Sequence, residues 1–394
     1  MSHSVRKRIL VYFICLLFLS FSSQAQSQLL DSLIRANRSY FSYDQTFSGM
    51  GWTQLMERVN QSHYVLIGED HFIREIPLFT QALIRASSFQ NYVAELDPWM
   101  MQLFQDKITR LSNAELQRWI DSNYNCFSFF QKQPDFDLLK TLVQKKIRLL
   151  GLEQICLTST SVIFQYLYET GSPQNRKQYA ALRDSSSAVN EVFFKDLAKP
   201  YFFKSPSFAK QMAGLDRSSM QKDEKEVVDA LMISQKIYQT GSHSQRIKLM
   251  QQNFLQYYTP YMKGKRSLFR FGANHAMKGE SYLPVYDIGT TAHVLAQSEQ
   301  VESYHILVLP KSGLKAGFLN GTEPVDLSDD LFKSLSPFFT AASDTAWTFI
   351  TLDKIRRVLN NKSYHIPDAN LEKTIKGYDA IIIIPVATPA PALR

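Results

Sequence analysis

Short, continuously apolar runs separated by amphipathic stretches set the rhythm of this chain from about residue 60 onward. Tyr64–Gly68 (YVLIG), Tyr92–Leu96 (YVAEL), Ile147–Leu152 (IRLLGL), Ser267–Gly272 (SLFRFG), Tyr304–Leu309 (YHILVL) and Ala380–Pro385 (AIIIIP) have the length and composition of buried strands. Between the first three lie helical patterns at about 73–88 and 98–146. Alternation of this kind predicts an α/β fold, with a mostly parallel central sheet flanked by helices. Residues 158–262 break the rhythm: they carry long polar-amphipathic segments and no convincing strand, and they read as a helical insertion. A further helical segment is expected at Leu352–Leu359.

The first 25 residues stand apart. Arg6, Lys7 and Arg8 precede an apolar run from Ile9 to Leu19, and small polar residues follow up to Ser23-Gln24-Ala25. This is the pattern of a secretory signal peptide cleaved after Ala25, too short in its apolar part for a comfortable span. The remaining chain, 26–394, reads as a single domain, exported to the periplasm or the extracellular space, with no integral membrane domain. The 45% hydrophobic and 20% charged fractions are those of a globular chain with a packed core. Removing the leader leaves 41 basic against 36 acidic residues, a surplus too small and too dispersed to suggest nucleic acid. Of three cysteines, Cys126 and Cys156 remain; they either pair or stay as buried thiols.

In an open α/β sheet, chemistry collects beyond the carboxyl ends of the strands. The first strand runs into Gly68-Glu69-Asp70-His71, and Arg74 and Glu75 open the next helix. Two residues apart in extended chain, Glu69 and His71 face the same side, where a carboxylate can fix an imidazole's tautomer. The second run places Glu95 inside an apolar strand, an expensive position for an unpaired charge. The third ends in Gly151-Leu152-Glu153, and the fourth in Gly272-Ala273-Asn274-His275. Glu69, His71, Glu95, Glu153 and His275 therefore converge on one rim. Within the insertion, Arg246, Met250 and Asn253 share one helical face. Met250 suits the core, while Arg246 and Asn253 could meet a substrate anion or carbonyl.

The order Gly-Glu-x-His…Arg-Glu, strand–Glu, Gly-x-acid, Arg-x-x-x-Met-x-x-Asn, then Gly-Ala-Asn-His resembles the erythromycin esterase family, over roughly residues 50–295. The wider group includes ChaN-like haem-binding proteins and TraB/TIKI-type proteins. The resemblance implies a cleft lined by histidines and carboxylates. It makes His71 the base that activates water, Glu69 and Glu95 its supporting carboxylates, Arg74 the motif arginine and His275 the late histidine. Only Asp70 separates Glu69 from His71, where the esterases have two residues; this spacing is closer to the ChaN and TraB side of the group. Gly272 stands where the esterases have a second histidine.

The resemblance implies hydrolysis of an ester or lactone in a small-molecule substrate, and the residues present suit direct attack of water without a cofactor. His275 or Arg74 would stabilise the oxyanion. No Gly-x-Ser-x-Gly elbow is present. Two alternatives use the same scaffold: a divalent metal on Glu69, His71, Glu95 and His275, or a non-enzymatic haem- or ligand-binding protein. His63, His293, His305 and His365 fall at positions that favour structural roles.

Overall fold

The computed structural model describes residues 28–318, 321–361 and 366–393. The expected leader, 1–25, and His365 lie outside the described residues. Nine strands form one sheet: β1 (Arg38–Asp44), β2 (Thr46–Ser48), β3 (Tyr64–Glu69), β4 (Asn91–Ala94), β5 (Arg148–Gly151), β6 (Ser267–Gly272), β7 (Ser303–Pro310), β10 (Trp347–Thr351) and β11 (Ala380–Ile384). β8 (Leu314–Ala316) and β9 (Thr322–Pro324) pair separately as a small antiparallel ribbon. The order across the large sheet is β2-β1-β10-β11-β7-β3-β6-β4-β5. The six strands from β11 to β5 are parallel, and β10, β1 and β2 continue one edge through antiparallel pairings.

Every residue of β3, β6, β7 and β11 is buried, because helices cover both faces. Alternate side chains feed two layers. Val65 and Ile67 pack with Ile76, Phe79 and Leu83 on one side, and Tyr64 and Leu66 with Met250, Phe254 and Ala292 on the other. Glu69 and Arg270 continue the first face, and this parity delivers both to the same end of the sheet.

Three sequence expectations change. The second strand stops at Ala94, so Glu95 lies just beyond it instead of inside; pairing of β4 with β6 ends at Ala94↔Arg270. The stretch 98–146 is four elements, Pro98–Arg110, Asn113–Ser122, the short Ser128–Phe130 and Gln133–Gln144. A capping box between Ser112 and Glu115 restarts the helix, Asn125 and Ser128 turn the chain at φ 70° and 52°, and Pro134 starts the last helix. Strands β1, β2 and β10 were not expected. β1 alternates buried and exposed positions, and threonines interrupt β10, so neither shows a continuous apolar run.

Residues 160–262 are helical apart from connections, as expected: Thr160–Thr170, Arg176–Lys195, Pro206–Met212, Lys222–Thr240 and His243–Tyr257 are the main helices. Cys126 and Cys156 are both free and buried. Among the described residues, no helix is long and apolar enough to cross a membrane.

Candidate functional site

The parallel strands bring Glu69, Glu95 and Glu153 to one rim, as the sequence predicts, and two arginines bind them there. β3 ends at Glu69, and Phe72, held at φ 67°, turns the chain so that His71 folds back onto it. His71 Nδ1 lies 2.9 Å from Glu69 Oε1, and His71 Nε2 lies 3.6 Å from Glu95 Oε2. The Nδ1 contact fixes the tautomer: Nδ1–H donates to Glu69, and Nε2 carries the lone pair when the ring is neutral.

Arg270 projects from β6 toward the same carboxylate. Its Nε donates to Glu69 Oε2 at 2.6 Å and its Nη2 to Glu69 Oε1 at 3.1 Å. Its Nη1 approaches Asp135 Oδ1 to 2.6 Å without the alignment of a hydrogen bond. Arg246, on the helix His243–Tyr257, donates through Nη2 to Glu95 Oε1 at 2.6 Å and through Nε to Glu153 Oε2 at 2.8 Å. Asn253, two turns along, donates to the Leu152 carbonyl at 2.7 Å and so ties this helix to the end of β5. Met250, between them, is fully buried in the core.

His275 sits in the short helix Ala273–Ala276 and is 3% exposed. Its Nδ1 lies 2.8 Å from Asp287 Oδ2 and its Nε2 3.6 Å from Glu95 Oε1. Asp287 also caps the helix Ile288–Ser298. His275 thus meets the rim through Glu95 and is itself buried. Arg74 is exposed; its backbone N–H donates to the Thr388 carbonyl, and its side chain has no hydrogen-bond or ion-pair partner among the described residues. The structure therefore joins Glu69, His71, Glu95, Glu153, Arg246 and His275 into one network, places Asn253 behind it, and leaves Arg74 outside.

Charge coupling sets the protonation of this network. Burial favours neutral carboxyls, yet His275, His71, Arg246 and the Gly272 N–H together hold Glu95 down to about 2. Burial also opposes ionisation of Glu69, and Arg270 and His71 overcome it, so its carboxyl stays below the ordinary value. Burial disfavours charge on His71 and His275, but Glu69 and Glu95 raise the first, and Glu95 and Asp287 raise the second. Asp135 is the exception, pushed up to about 6 by burial against the pull of Arg270.

Two glycines shape the rim. A Cβ at Gly68 would come within 2.4 Å of Tyr378 Oη, the hydroxyl that donates to the Ala273 carbonyl at the start of the His275 helix. A Cβ at Gly272 would meet His71 Nε2 at 3.0 Å and Glu95 Oε2 at 3.5 Å. Gly272→Ala is therefore expected to displace the imidazole at a cost of about 1–3 kcal/mol of stability. Its check is the thermal midpoint beside the position of the His71 ring resonances: the midpoint should fall modestly and the resonances should move.

Beside His71, Glu69, Tyr92, Glu95, Phe129, Phe130 and Arg270 line about 10 Å³ of free space, the size that holds one water. The Tyr92 hydroxyl is buried without a hydrogen-bond partner among the described residues, whereas Arg270 Nη1 is paired with Asp135. Phe129 stacks on the imidazole, ring centroids 4.2 Å apart at 26°.

Arg270, Tyr92, Asp135, Phe129 and Asp287 escaped the sequence reading. Arg270 was detectable: a charge within SLFRFG is the same anomaly that singled out Glu95. Asp135 and Phe129 carry no such signal, since they come from the segment misread as part of one long helix.

Solved structures share this fold. A mutant of the erythromycin esterase EreC, in its open conformation, superposes with a TM-score of 0.59 at 12% identity, over 90% of this chain and 99% of the other. A succinoglycan biosynthesis protein gives 0.57 at 11% identity, over 93% and 98%. A Bacillus cereus protein gives 0.54 at 12%, over 93% and 99%. No family model matches the chain, and no curated protein matches it. The mixed α/β architecture of these structures, a mostly parallel central sheet flanked by helices, is thus the architecture of this protein.

Proposed function

We propose that this protein is a hydrolase of the erythromycin esterase-like type, cleaving an ester or lactone by general-base activation of water, and that it works after export. The observation that carries the reading is the state of His71: Nδ1 is held by Glu69, while Nε2 has no hydrogen-bond partner among the described residues and lies beside a water-sized space. Deprotonated, Nε2 takes a proton from water as the water attacks the carbonyl carbon. Glu69 and Glu95 stabilise the imidazolium that forms, and the ring then returns the proton to the leaving oxygen. His275, Arg246, Glu153 and Asn253 act as positioning residues, holding Glu95 and the helix behind it. The unpartnered Tyr92 hydroxyl, on a residue lining the same space, is a candidate donor to the oxyanion, a role the sequence reading gave to Arg74 or His275. Export rests on the pattern of residues 1–25.

A divalent ion on these side chains would compete with Arg270 for Glu69 and with Arg246 for Glu95, and the free space beside His71 is water-sized. The deciding experiment is hydrolysis of a panel of chromogenic esters and lactones with and without chelator. Turnover that survives the chelator supports the proposal. Turnover lost to the chelator and restored by added metal contradicts it, and no turnover of any member removes its support.

A further inference from the structure

Residues 387–393, a Pro/Ala-rich stretch with no evident chemistry of its own, lie across both loops that flank His71. Toward the first loop, the Thr388 carbonyl accepts from Arg74 N at 3.0 Å, Ala390 N donates to the Phe72 carbonyl at 3.2 Å, and Pro389 bridges to Ile73. The Thr388 backbone N–H and hydroxyl both donate to the Glu75 carboxylate, at 3.0 and 2.5 Å. Toward the second loop, the Pro391 carbonyl accepts from Gln133 N at 2.9 Å, and Leu393 N donates to the Gln131 carbonyl at 3.1 Å. Ala387 exchanges hydrogen bonds with Ser312 and Leu314 just past β7, which anchors the stretch to the sheet. Ala387, Ala390 and Leu393 are buried.

Both loops it clasps contain left-handed backbone. Phe72 and Ser128 adopt φ of 67° and 52°, sparsely populated by residues with a Cβ, and Asn125 turns the chain at 70°, which asparagine accepts more readily. The turn at Phe72 swings His71 onto Glu69, and the turn at Ser128 delivers Phe129 onto the face of the imidazole. Phe72 and Phe129 touch, ring centroids 5.7 Å apart. The Phe72 carbonyl accepts from Ala316 as well as Ala390, so the strained residue is tied from two sides.

We infer that residues 387–393 form a positioning strap of the site, clasping the His71 and Phe129 loops so that the imidazole is held between Glu69 and the Phe129 ring. Its catalytic consequence rests on the proposed hydrolase reading; the clasp itself does not. The test replaces 387–393 in the full chain with a Gly-Ser segment of equal length, and follows hydrogen exchange by mass spectrometry beside kcat and KM on any ester the protein cleaves. Exchange is expected to rise about tenfold in 71–75 and 128–133 while 160–262 holds its protection, and kcat to fall with KM little changed. Exchange that is unaltered, or that rises evenly through the chain, overturns the strap. Should the replaced protein not fold, Thr388→Ala provides the milder cut: the same two peptides should loosen, and Thr388→Ser should restore them. Equal protection in Thr388→Ala and Thr388→Ser also overturns it. A protein that hydrolyses nothing still answers through exchange, so loss of the hydrolase reading and loss of the strap remain separate results.

Discussion

Arg270→Met is expected to lower the stability of the protein by about 3–5 kcal/mol, as removal of one partner from a buried ion pair does. The guanidinium side chain is 6% exposed and sits between two carboxylates that are 3% exposed each. Methionine approximates its volume, so the cost comes from charge and not from a cavity. Without Arg270, Glu69 keeps only His71 as a countercharge, and Asp135, already pushed up to about 6 by burial, loses its only cationic neighbour among the ion pairs of the described residues. Both carboxyls then hold protons more tightly when folded than when unfolded. Stability should therefore fall as pH rises above the ordinary carboxyl range, and the deficit should be largest at alkaline pH. Urea unfolding of wild type and variant at pH 5 and pH 8 checks this. A midpoint unchanged at pH 8 would mean that Arg270 is not the counterion of this core.

His71→Ala is expected to leave the fold intact and to reduce ester hydrolysis by about 10²- to 10⁴-fold, the usual worth of a positioned general base. Tolerance follows from location: the side chain is 25% exposed, and the Phe129 ring that stacks on it is itself only partly buried, at the margin of the core. The carboxylates it leaves behind retain arginines, Arg270 on Glu69 and Arg246 on Glu95. Rate and thermal midpoint should therefore separate in this variant, where Arg270→Met lowers both. Activity within about threefold of wild type would remove His71 from the mechanism.

Much of this site was legible because its parts obey strand rules. Glu69, Glu95, Glu153 and His275 each follow a buried apolar run, and parallel strands must deliver such positions to a common end. The Arg246–Asn253 spacing was legible for the same kind of reason, since i and i+7 share a helical face. What escaped depends on contacts between distant segments. Asp135 gains meaning only once Arg270 faces it across 135 residues of chain. Asp287 gives no sign in the sequence of its double role, capping the helix Ile288–Ser298 and holding His275. Strands β1, β2 and β10, the antiparallel end of the sheet, lacked an apolar run because one side or one end of each meets solvent. Residues 387–393 carry no chemical motif, and apart from the Thr388 hydroxyl their hydrogen bonds are made by backbone groups that every sequence possesses.

The central claim is that neutral His71, poised by Glu69, is the base. Its most direct test is kcat/KM for a cleaved ester against pH, in wild type and in Glu69→Gln. The two carboxylates raise the imidazole above its ordinary value of 6.5, against the effect of burial. Charge on His71 therefore contributes stability at low pH that is lost as pH climbs through the raised value, and catalysis runs the other way, appearing as the proton leaves. Glu95, held down to about 2, stays ionised throughout and adds no limb of its own. The account predicts an acid limb centred above pH 6.5 in wild type that moves to lower pH in Glu69→Gln. A limb at or below 6.5, or one that Glu69→Gln leaves in place, contradicts it.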